Sequence, residues 1–263
     1  MRSLPFRKFS SKNRLFMMLV RMRRGVPLID LAYIFGISKA RCQAICYAMI
    51  RLTYEYLVLL EPYMFITAEQ QKKNMPAPFR AFKNLRVIID CAEFHIQKPS
   101  DFQQQGNTFS NYKHYNTQKY LIGISCYGSI IFCSGGFEGN KSDKEILNES
   151  GMMKYLQKGD SVMADRGFNV RSELADIGVN LIKPSNFKKS KQFLKPSEEV
   201  LTKDTASARI FVEHAIKSIK DWRLLRNIIP MSLHDILPDM VFIAAYLTNF
   251  NKPFIKLAPG TAK

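Results

Sequence analysis

The sequence predicts an α/β fold: a sheet of mixed strand direction flanked by helices, with a small all-α segment ahead of it. Three observations carry this. Up to residue 66 the apolar residues recur only at helical spacing. From Val87 onward, short runs of β-branched and aliphatic residues alternate with amphipathic stretches. Two of those runs, Lys119–Cys126 and Ser129–Ser134, are joined by Tyr127-Gly128 alone, the spacing of a hairpin.

The first helix runs from Asn13 to Arg24 with Leu15, Met18, Leu19 and Met22 in one stripe, and Gly25-Val26-Pro27 ends it. Pro27 suits the first turn of a short second helix whose apolar face is Leu28, Leu31, Ala32 and Phe35. Gly36-Ile37-Ser38 makes a tight turn, and Ser38 caps a third helix that begins at Lys39 and ends near Glu61-Pro62. Helix, short helix, glycine turn and long helix form a helix-turn-helix pattern over residues 10–66. Lys39, Arg41 and Gln43 follow the turn and can reach phosphates or base edges. The plainer alternative is a small bundle that packs on the main domain with a basic face.

Residues 67–84 are polar, basic and broken by Pro76 and Pro78, the composition of a linker. The main domain, residues 85–255, opens on the stretch Val87–Phe94, in which a buried strand runs up to Asp90 at its end. Residues 95–118 read as a polar loop in which Tyr112, Lys113, His114 and Tyr115 are either a nucleic-acid contact or a solvated insertion. After the hairpin, Ser142 with Glu145 resembles a capping box that opens a helix to about Gln157. Asp160–Ala164 is a short strand ending at Asp165, a helix covers about Val170 to Ile177, and Val179–Ile182 is a further strand. Lys188, Lys189 and Lys191 lie in a basic stretch that suits backbone contact with nucleic acid. Two helices close the chain, Ala206–Asp221 and His234–Asn251.

Lys and Arg number 39 against 22 Asp and Glu, so the chain carries +17 and favours an anionic partner. No apolar run approaches the roughly 18 residues of a membrane helix, so no membrane partner is expected. The 5 cysteines contain no Cys-x-x-Cys pair and give no zinc signature. Cys42 and Cys46, one helical turn apart, read as packing residues.

Asp90 and Asp165 each close a strand, and neighbouring strands would bring them together. Glu213 sits among Ile210, Phe211, Val212 and Ile216, on the margin of an apolar helix face where an acid is unusual unless paired or metal-bound. Three carboxylates without histidine or cysteine suit a hard cation, Mg²⁺ or Mn²⁺. Two such ions about 3.5–4 Å apart activate water and stabilise the leaving oxygen in phosphodiester cleavage. Separate structural salt bridges would explain each acid equally well.

Four stretches in order, Ile88–Glu93, Tyr112–Lys119, Gly139–Lys144 and Asp160–Phe168, together with Arg209–Glu213 and Lys220, resemble the DDE superfamily endonucleases, transposase-derived proteins similar to Harbinger-type and insertion-sequence transposases. The resemblance covers roughly residues 10–255, the helix-turn-helix segment included. It implies a ribonuclease-H-like fold, two divalent metal ions, and Asp90, Asp165 and Glu213 as the catalytic acids. Asp143 competes for the second place but stands beside a helix N-cap, where an aspartate is already explained. Arg209 and Lys220 would lie near the scissile phosphate, or Arg209 would simply pair with Glu213 one turn away. The sequence departs from the family pattern at Ala92, where threonine is usual, and at His214, where arginine is usual. The resemblance further implies DNA as partner and the nucleus as location, with a homo-oligomer or a separate DNA-binding partner protein both open. A catalytically silent, domesticated DNA- or partner-binding protein is the rival expectation.

Overall fold

A computed structural model describes residues 9–73, 75–82, 84–165, 167–183, 210–252 and 255. Three helices come first: α1 (Ser11–Arg24), α2 (Leu28–Phe35) and α3 (Lys39–Met64). Gly25 and Gly36 stop the first two in left-handed geometry, at φ 65° and 64°. Ser38 caps α3 by accepting from the Arg41 N–H. Met17, Leu31, Ala32, Cys42 and Cys46 form the core of this segment, so both cysteines are packing residues. Burial pushes the Cys46 thiol up to about 12.

Across residues 67–84 the chain is packed against the sheet domain. A short helix, α4 (Ala68–Lys73), carries the buried Gln71, whose amide donates to the Arg86 carbonyl and whose oxygen accepts from the Cys126 N–H. Phe79 and Phe82 are buried in the main core.

The sheet strands are β1 (Leu85–His95), β2 (Phe109–Ser110), β3 (Tyr115–Ile124), β4 (Ile130–Cys133), β5 (Phe137–Glu138), β6 (Ser161–Met163) and β7 (Asn180–Ile182). Antiparallel β3 and β1 sit at the centre, and β1 pairs in parallel with β6, which pairs in parallel with β7. On its other edge β3 takes β2, β5 and β4 in turn, all antiparallel. The order β4-β3-β1-β6-β7, antiparallel on one side of β1 and parallel on the other, is ribonuclease-H-like. Helices α5 (Phe102–Thr108), α6 (Asp143–Glu149), α7 (Arg171–Asp176), α8 (210–220), α9 (Arg223–Arg226) and α10 (Leu237–Thr248) complete the described chain.

Strand alternation divides the core into two layers. Ile88, Ala92 and Phe94 of β1 and Met163 of β6 face Val212, Ala215, Ile216 and Ile219 of α8 and the apolar side of α10. Val87 and Ile89 with Val162 face Ile146 and Leu147 of α6 and Leu174 of α7. Among the described residues no helix is long and apolar enough to cross a membrane.

Three boundaries differ from expectation. The polar stretch 95–118 contains α5, capped by Asp101, which accepts from the Gln104 N–H at 2.8 Å. Helix α6 ends at Glu149, because Gly151 takes φ 79° and Met152–Tyr155 tightens into a 3₁₀ turn. The capping box is present: Ser142 accepts from the Glu145 N–H, and the Glu145 carboxylate accepts from the Ser142 N–H at 2.9 Å. Ser142→Ala should cost about 1 kcal/mol of stability in urea denaturation, while Ser142→Asp should be close to neutral. The third difference is β1 itself, which runs on past Asp90 to His95.

Candidate active site

Asp90 stands in the middle of β1, not at its end, opposite Ile122 of β3. What ends near Asp90 is the neighbour on the other side. β1 and β6 pair through Leu85 and Ser161, Val87 and Val162, and Ile88 and Met163, and β6 stops there. Asp165 follows two residues on. Continuing the parallel register by two positions sets Asp90 against Asp165, one strand spacing or about 4.8 Å apart at the backbone. Both keep the parity of Ile88 and Met163, the residues that face α8. Asp90 and Asp165 are each half-buried. The Cys91 N–H donates to Asp90 Oδ1 at 2.8 Å.

Helix α8 covers this face with Val212, Ala215, Ile216 and Ile219. Glu213 is exposed beside Val212. Lys220 lies seven residues further along, so the two share one stripe of the helix. The Lys220 ammonium sits 5.6 Å from the centre of the Phe94 ring. Burial and the nearby Lys113 lower its pKa, while Glu93 and Asp90 oppose that shift. Lys220 is therefore a half-buried cation within electrostatic reach of Asp90. Among the described residues, no three His, Cys, Asp or Glu side chains gather closely enough to hold a metal ion. Extended past the end of β6, the register points Asp90 and Asp165 toward one another; Glu213 is on the covering helix without closing a three-ligand cluster among the described residues.

Asp143 approaches from the opposite face of the sheet, at the first position of α6, and lies near the Cys91 thiol. Burial, Asp143 and Asp90 all raise the Cys91 pKa well above the ordinary thiol value, so it stays protonated. Lys39, Arg41 and Gln43 are exposed on the first turns of α3, and Lys113 is exposed in the β2–β3 turn. Arg209, Lys188, Lys189 and Lys191 lie outside the described residues.

Two further residues lie along β1 past Asp90: Glu93, which alternation in the sequence already puts on the opposite face as a supporting or rim residue, and His95, which the sequence did not single out. Glu93 pairs with Lys119 across the sheet and accepts from the Thr117 hydroxyl at 2.9 Å. His95 stacks on Tyr115, with ring centres 5.2 Å apart and planes 15° apart. Burial, with Lys220 and Lys113 nearby, lowers the His95 pKa and keeps the imidazole neutral at physiological pH. Continuing the β1 alternation past Asp90 puts Cys91, Glu93 and His95 on one face, and that was the available signal.

A sequence model described as DDE superfamily endonuclease matches residues 89–249, more than half of the chain. A second, described as helix-turn-helix of DDE superfamily endonuclease, matches residues 7–58. No curated protein matches the chain. Both descriptions imply DNA as the partner class. On the fold, the strand register and these matches, the chain belongs to the DDE superfamily endonucleases.

Proposed function

We propose that the chain is a divalent-metal-dependent DNA endonuclease of transposase descent, with Asp90, Asp165 and Glu213 as its acids. The observation that carries this reading is the parallel β1–β6 register, which extrapolates to Asp90 beside Asp165 on the face covered by the helix of Glu213. An all-carboxylate donor set fits Mg²⁺ or Mn²⁺ by type. Bound there, two ions would supply activation of water and stabilisation of the departing 3′ oxygen.

The chain's own residues do the rest. The Cys91 N–H fixes the plane of the Asp90 carboxylate. Lys220 offers a positive charge to a non-bridging phosphate oxygen at the same site. Lys39, Arg41 and Gln43 at the start of α3, with Lys113 and the basic run of Lys188, Lys189 and Lys191, engage the DNA backbone. Nuclear residence follows from the DNA substrate.

Plasmid nicking tests the reading. The purified chain should convert supercoiled DNA to open circles with Mg²⁺ or Mn²⁺. Chelation should stop the conversion, while a gel shift run in EDTA should persist. The rival, a catalytically silent DNA- or partner-binding protein, draws on the open acid cluster among the described residues. A gel shift with no nicking in either metal would favour it.

A further inference from the structure

A cleft of about 470 Å³ lies beside the acids but contains none of Asp90, Asp165 or Glu213. Its walls are Tyr112 from the β2–β3 turn, Lys119 from β3, Asn140, Lys141 and Asp143 around the start of α6, and Asn169. It meets the acid site at two points. Asp143 lies near the thiol of Cys91, the residue next to Asp90. Gly167 and Asn169, which also line it, follow Asp165 in the chain. The cleft thus opens on the sheet face opposite α8, next to the edge of the sheet where Asp165 leaves β6.

The lining combines three kinds of chemistry. Tyr112 is 79% exposed, and the Lys113 ammonium covers one face of its ring at 4.5 Å, so the ring is braced for stacking. Lys119 Nζ donates to the Lys141 carbonyl at 2.9 Å, which fixes an ammonium in the wall. Lys119, Lys141 and Lys144 outnumber the single acid Asp143. Asp143 and the three asparagines that line it, Asn111, Asn140 and Asn169, offer hydrogen bonds to the edge of a planar heterocycle. The volume falls in the range of small-molecule sites, about 300–1,000 Å³. Paired bases, stacked within a duplex, cannot enter such a recess.

We infer that the cleft receives one unpaired nucleotide of the DNA strand, its base stacked on Tyr112 and its phosphate beside Lys119. The inference rests on the reading of the chain as a DNA-binding protein and adds a preference for locally unpaired DNA. Asp143, which competed in the sequence for the role of second acid, becomes an acceptor for the base edge.

Fluorescence anisotropy on the full chain tests this in EDTA, where no strand can be cut. A duplex with a three-nucleotide DNA flap should bind about tenfold more tightly than the same duplex with blunt ends. Tyr112→Ala, an exposed change that spares the core, should remove the preference and leave blunt-duplex affinity within about twofold. Tyr112→Phe should keep it. Equal affinity of the wild-type chain for both DNAs overturns the inference, as does a preference that survives Tyr112→Ala or appears only with an RNA flap. Because no metal is present, a failure of nicking leaves this result standing, and its failure leaves the nicking result standing.

Discussion

On the proposed assignment, Asp90→Asn should remove metal-dependent nicking and leave DNA binding in place. The substitution keeps the size of the side chain and its contact with the Cys91 N–H but deletes the charge that would hold a cation beside Asp165. Charge stabilisation by a bound metal is worth several kcal/mol, and about 1.4 kcal/mol is a tenfold rate change, so a loss of about three orders of magnitude or more is expected. The proposed DNA contacts are lysines and arginines that the change does not touch, so the salt dependence of the gel shift should keep its slope. A second readout follows from Lys220. Asp90 raises the pKa of Lys220 against the lowering by burial and Lys113, so removing its charge should lower that pKa further. Nicking by the variant within about tenfold of wild type would rule out Asp90 as a metal ligand.

Arg86→Leu should strongly destabilise the sheet domain. Arg86 is nearly buried at the start of β1 and pairs with the equally buried Asp160, just before β6, at 3.4 Å. Its guanidinium also donates to the Ile66 carbonyl and lies 4.8 Å from the Phe65 ring centre, at the end of α3. One side chain thus ties the helical segment to the two strands that carry Asp90 and Asp165. Breaking the pair strands the Asp160 carboxylate, a loss of about 3–5 kcal/mol in chemical denaturation. Pairing the change with Asp160→Asn should recover part of it, since the Gln157 N–H still has an acceptor. A cost under about 1 kcal/mol would show that water reaches the pair.

Much of the architecture was legible because local rules agreed with the fold. The turn at Gly36-Ile37-Ser38, the Ser142 capping box and the apolar stripe of α8 each carry a physical signature within a few residues. Helix α5 was missed because Gln103, Gln104 and Gln105 give it no apolar period, although Asp101 marked its start. The end of β1 was misjudged because the run of fully buried residues does stop at Ile89. Beyond it only β3 pairs with the strand along its length, and alternation with Ala92 and Phe94 replaces continuous burial. The relation of Asp90 to Asp165 depends on strand register between distant segments, and no local pattern encodes that. The Tyr112 cleft is likewise assembled from three separate segments.

The crossover between β1 and β6 also sets an order of events during synthesis. β1, β3 and β4 lie close in sequence and pair antiparallel, so they can form while the rest of the chain is still emerging. The parallel partner arrives much later, and its contact with β1 closes a long loop whose entropy must be met before the pairing contributes. On the proposed assignment, Asp90 acquires its neighbour only at that late step. Nascent or truncated chains would hold the first acid on a formed strand and still be unable to cut the genome of the cell that makes them.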